Sequence, residues 1–297
     1  MGATFNKTYT SPADLVQLLQ QRGMDVGQTE KAEMYLRQIG YYRLSAYWYP
    51  LLTTPKTAHV FKQGVHLEQA LMMYRFDEQL RLFIFNYIEK IEVAVRAAIT
   101  NIISRETGDI YWMTNPQWYS VAAYNRSKDI LKKEYDKSTE DFIFHFKQTY
   151  SEPYPPAWIL AEILPLGTLT AIFRDFKIER IKKKVAKEFG LSLPVFCSWM
   201  TIVTVTRNLC CHHSRVWNKV LTLKALTEKR MARPWVSSAV QQGRIFYTLC
   251  IIKYLVDVVA PDNDMATQLR WLLLRFPQID LQAMGFPPNW EMEALWQ

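Results

Sequence analysis

The sequence predicts an all-α fold, and three observations predict it. Glycine is scarce, at 10 of 297 residues, while aromatics reach 14% with ten tryptophans and sixteen tyrosines. That balance suits long helices burying large side chains better than a turn-rich β-sandwich. Between Leu67 and Arg105 apolar residues return at three- and four-residue intervals with no proline, the period of a helix face. At 49% apolar and 22% charged, the 35.0 kDa chain has the profile of an ordinary globule of one large domain or two modest ones, which excludes a disordered chain.

Taken in order, Ser11 as N-cap and Pro12 at the first helical position open a helix through Leu19. Glu30 to Ile39 repeats its pattern. Gly40 to Pro50 holds five aromatics and reads either as a buried helix or as an RNA-stacking platform; core packing is favoured, because stacking surfaces stay open to solvent. Leu67 to Arg105 is one long helix or two stacked ones. Within it Glu92 and Arg96 have the i,i+4 order of an ion pair on a solvated face. Gly108 to Tyr119 reads as an irregular aromatic loop and Ala123 to Phe146 as a charged helix. Three prolines within 153–156 force an extended link before a helix from Ala157 to Phe173. Lys177 to Lys184 is a basic run best read as a solvated helix face. Pro194 starts the next helix, and Pro234-Trp235 precedes a last helical pair reaching Phe276.

A net charge of +8 favours a polyanionic partner: RNA, DNA or an acidic membrane face. The first residues lack an apolar core of signal-peptide length, and no stretch reaches the roughly 18 apolar residues of a membrane span, so a soluble, cytoplasmic protein without membrane contact is expected. Cysteines at 197, 210, 211 and 250 have no framework spacing, which fits a reducing compartment.

The stretch RNLCCHHSRVWN (207–218) concentrates the chemistry. Zinc is disfavoured, because adjacent helical residues point about 100° apart and four in a row cannot converge on one ion; no metal and no cofactor is expected. Packing explains much of the stretch. Phe196, Trp199, Val203, Thr206, Leu209, Cys210, His213, Val216 and Trp217 recur at helical spacing, which puts His213 on a buried face as a hydrogen-bonded core histidine. A strand through Thr201–Thr206 is the residual alternative. His212 lies off that stripe, with Asn208 four back and Arg215 three on as helical neighbours. Arg207 sits about 140° from His212 on a straight helix, so joint action needs a kink, the reach of the guanidinium or a second copy across a dimer axis. An arginine fork, a titrating histidine and an orienting asparagine are the parts of metal-independent RNA cleavage.

The stretch resembles the signature of bacterial abortive-infection proteins of the AbiD/AbiF (Abi-2) type, whose Arg-polar-x3-His element is similar to that of HEPN ribonucleases. Residues 35–51 (YLRQIGYYRLSAYWYPL), 88–99 (IEKIEVAVRAAI) and 155–169 (PPAWILAEILPLGTL) resemble further family blocks in the expected order. The resemblance implies an all-α, HEPN-like helical bundle with additional N- and C-terminal helices: a segment 1–66, a core 67–225 carrying the motif and an extension 226–297. It implies an antiphage, toxin-like endoribonuclease with Arg207 and His212 catalytic and Asn208, His213 and Arg215 in support. RNA is the implied substrate, a structured small non-coding RNA an implied partner and a homodimer the implied assembly. A non-catalytic protein that holds a cognate RNA is the alternative.

Overall fold

The computed structural model describes every residue except Met1, Ala3, Phe5, Lys7 and Ser238. Among the described residues the chain is all-α, with twelve helices and no strand beyond two isolated β-bridges, Asp25 with His66 and Leu52 with Phe61. It divides into two compact units, residues 1–79 with 275–279, and residues 80–274 with 280–297.

In the first unit, α1 (Pro12–Gln21) begins where the Ser11 hydroxyl accepts from the Asp14 amide at 3.2 Å, and buries Val16 and Leu19. It packs on α2 (Thr29–Gln38). In α3 (Tyr41–Trp48) Leu44, Tyr47 and Trp48 are buried, so the aromatic cluster is core at those positions, while Tyr42 is exposed. The Tyr47 hydroxyl donates to the fully buried Asp77 carboxylate at 2.6 Å, on α4 (Leu67–Thr107). That helix is continuous over 41 residues, and the division between the units falls within it.

In the second unit, the charged segment expected as one helix is two, α5 (Val121–Lys137) and α6 (Asp141–Thr149), because Ser138 turns extended. The helix expected over Ala157–Phe173 is likewise broken. A single turn α7 (Ala157–Leu160) runs into a 3₁₀ turn at Ala161–Ile163, and Pro165, which cannot donate, resets the chain before α8 (Leu166–Asp175). The basic run forms α9 (Glu179–Glu188), and Pro194 sits in the first turn of α10 (Leu193–Cys211), which excludes the strand alternative. The last pair is α11 (Ile245–Val259) and α12 (Met265–Arg275). Twelve consecutive residues of α11, Ile245 to Val256, are buried, the mark of a central helix covered on all sides. α10 packs against α8, α9 and α11.

No single described helix is long and apolar enough to cross a membrane; α9 and α10 reach the composition only together, across a 64° bend. Nine residues of α10 are buried.

Asp109 organises the aromatic loop after α4, accepting from the Tyr111 amide, the Asn115 amide group and the Trp118 indole at 2.8 Å each. Burial opposes its ionisation, yet these hydrogen bonds hold its carboxyl below the usual range. Hydrogen bonds from Tyr87 and Gln268 do the same for Asp264. A carboxyl depressed in the folded state contributes fully above its unfolded pKa and loses that contribution as pH falls through the folded value. The melting temperature is therefore expected to drop below about pH 4. Asp109→Asn should lower it at pH 7 and flatten the acid limb; a limb as steep as that of the parent in a pH series of thermal melts would remove Asp109 from this account.

Candidate functional site

α10 carries the first half of the motif and stops inside it. His212 is the C-cap, and the His213 amide donates to Cys210 O at 3.1 Å while the Ser214 amide donates to Leu209 O at 2.9 Å. These paired bonds end a helix with a left-handed residue at the position after the cap, and His213 has φ of 53°. The helical spacing that placed His213 on the buried face therefore does not extend to it, and the residue is exposed. Arg215, expected one turn beyond His212 on the same helix, follows the turn and is half-buried.

A side chain at positive φ costs about 1–2 kcal/mol that glycine avoids. Since both changes remove the imidazole, His213→Gly is expected to be more stable than His213→Ala by about 1 kcal/mol. Equal urea midpoints for the two would show that the cap does not hold this residue left-handed.

His212 is exposed at the end of α10, and its imidazole makes no hydrogen bond among the described residues. Asn208 is exposed one turn earlier, its carbonyl accepting from the His212 amide at 3.0 Å. Arg207 points elsewhere. Its Nε lies 3.5 Å from Glu92 Oε2 and makes no hydrogen bond, so the contact is an ion pair without the geometry of a locked fork. The side chain keeps 31% of its exposure. Arg207 and His212 share no hydrogen bond, in keeping with their separate faces.

Glu92 is the residue the sequence reading placed on a solvated face. The expected pair does form, with Glu92 Oε1 accepting from Arg96 at 3.0 Å, but it is inside the fold: the Arg96 side chain is 10% exposed and that of Glu92 16%. Arg96 also donates to the carbonyls of Ala161 and Leu164, the latter at 3.0 Å. Glu92 thus holds two arginines, one fixed to the backbone beside α7 and one on α10. A signal for this existed in the sequence, since Arg96 adjoins Val95 and lies between the apolar positions Ile88 and Ile99; the contact with Arg207, 115 residues away, had none.

Beyond the motif, Arg244 donates to the Asn218 side chain at 3.0 Å and the Leu221 amide to Gly243 O at 2.8 Å. The chain then returns along α10, where the Trp199 indole donates to Leu226 O at 2.9 Å and Trp199 stacks on Trp235. These contacts order a long segment without helix beside the site. Among the described residues no three His, Cys, Asp or Glu side chains are grouped so as to hold a metal ion.

A family model described as Abi-like protein matches residues 34–218, from α2 to the end of the motif. The chain belongs to the Abi-like protein family. The match encloses all four blocks in which the resemblance was read, and in this Abi-like protein it stops at Asn218, before α11 and α12. Neither a curated protein nor a solved structure matches the chain.

Proposed function

We propose that this Abi-like protein is an abortive-infection effector that acts in the cytoplasm as an endoribonuclease without a metal cofactor. The observation that carries the reading is the Arg-x4-His element at the end of α10, within the family match, with an exposed histidine and an arginine whose Nε lies 3.5 Å from a half-buried glutamate. In the proposed reaction the ribose 2′-oxygen attacks the adjacent phosphorus as its proton leaves, and the bond to the 5′-oxygen of the next nucleotide breaks. The products are a 2′,3′-cyclic phosphate and a 5′-hydroxyl. His212 moves the proton, and Arg207 offsets the charge that builds on the phosphorane oxygens. Glu92 positions Arg207, while Asn208, Arg215 and the strained His213 shape the turn that presents His212.

Because Arg207 and His212 occupy different faces of one helix end, a homodimer that pairs two motifs would supply each site with both groups. Since every group in this scheme is a side chain or the substrate's own hydroxyl, cleavage is expected to survive EDTA and to fail on RNA carrying a 2′-deoxy ribose at the cut site. Loss in EDTA with rescue by magnesium or zinc would replace this scheme with a metal-assisted one.

A further inference from the structure

The Glu92 group has a counterpart further along α4. At Glu106 three cations gather on one carboxylate whose side chain is 15% exposed: Arg105 at 3.6 Å, Arg180 at 3.6 Å and Lys184 in closer contact. The hydrogen bond from Lys184 leads the interactions that keep Glu106 ionised. Three positive charges on one negative leave an excess of two, whereas Lys132–Asp136 and Lys183–Glu179 are balanced one-to-one pairs. The cation side chains stay open to solvent, at 70% for Arg105, 71% for Arg180 and 43% for Lys184.

Both groups stand on α4. Glu92 and Glu106 are fourteen residues apart, which on a straight helix is roughly 21 Å along the axis and within about 40° around it. The face of α4 between them, Arg96, Ile99 and Ile103, is buried, so the two carboxylates hold their cations where that packed face meets solvent. On α9, Arg180, Lys184 and Lys187 succeed one another at i, i+4 and i+7, a basic stripe in which Arg180 and Lys187 are exposed and Lys184 half-buried. Glu106 restrains flexible cations before any ligand arrives, which lowers the entropy cost of phosphate binding.

We propose that Arg105, Arg180 and Lys184, gathered on Glu106, form a docking site for the phosphates of a single-stranded RNA substrate. This rests on the nuclease reading, because that reading supplies the strand. The contacts are to backbone phosphates, so the site adds affinity without base preference.

The test uses the full chain with His212→Ala, so that the RNA stays intact, and follows a fluorescent single-stranded RNA by anisotropy from 50 to 200 mM salt. Adding Arg180→Ala and Lys184→Ala is expected to raise Kd about tenfold at the low-salt end. It should also lower the slope of log K against log salt by roughly 1.4, about 0.7 for each lost phosphate contact on a single strand. Including Glu106→Gln removes the carboxylate left behind, and the same loss with an unchanged thermal melt excludes misfolding as the cause. Lys132→Ala, on α5, should leave both quantities unchanged. With His212 intact, the double change should raise KM and spare kcat. Unchanged Kd and slope in a parent that binds RNA would overturn the docking site alone. Salt-dependent loss of binding in a protein whose His212 form never cleaves would keep the docking contacts and overturn the nuclease reading. A parent that binds no RNA would overturn both.

Discussion

His212→Ala is expected to lower RNA cleavage by about 10²–10⁴-fold, the usual worth of a general acid or base. The fold should be untouched, because the residue is exposed at a helix end and its imidazole holds no hydrogen bond among the described residues; a surface change of this kind shifts stability by no more than about 0.5 kcal/mol. The pairing of a large kinetic loss with an unchanged urea midpoint separates chemistry from packing. Cleavage within a few-fold of the parent would move the proton transfer to another group, and His213 on the same turn would be the first to examine.

Arg96→Ala is expected to have the largest effect on stability. The arginine is 8% exposed and donates three hydrogen bonds at once, to the Glu92 carboxylate, Ala161 O and Leu164 O, with Glu162 Oε2 3.8 Å from its Nε. Its removal leaves Glu92 with the looser Arg207 contact at 3.5 Å and strips two carbonyls of a charged donor. Breaking a buried pair in this way costs about 3–5 kcal/mol, most of it for the charge left uncompensated. Arg96→Lys should recover only part, since an ammonium on a flexible stem cannot span three acceptors as a planar fork does. A loss under about 1 kcal/mol by urea denaturation would mean that the network is as solvated as an ordinary surface pair.

The parts of this fold that were legible are those set by period and by proline. The apolar period of α4 runs unbroken, Pro194 marks the start of α10, and the stripe from Phe196 to Cys210 is buried as its spacing predicts except at Leu209, which is half-buried. Two helices were read too long. The break at Ser138 carries neither glycine nor proline, and Pro165 was present but overridden by the apolar pattern on either side. The motif was legible in composition and not in geometry. Helix ends of this type usually announce themselves with glycine; here a histidine takes the left-handed position, so the helical wheel was carried one turn too far, to His213 and Arg215. Glu92 was read as half of a local pair because i,i+4 order is visible in a sequence, while its second arginine is brought in only by the packing of α10.

The central claim is that this chain cuts RNA through the 2′-oxygen with His212. Mapping the termini of RNA cut by the purified protein, alongside the same RNA with the His212→Ala form, tests it most directly. The account predicts 2′,3′-cyclic phosphate and 5′-hydroxyl ends from the parent protein and none above background from the variant. Ends bearing 3′-hydroxyl and 5′-phosphate, or cyclic phosphates made equally well without His212, would contradict it.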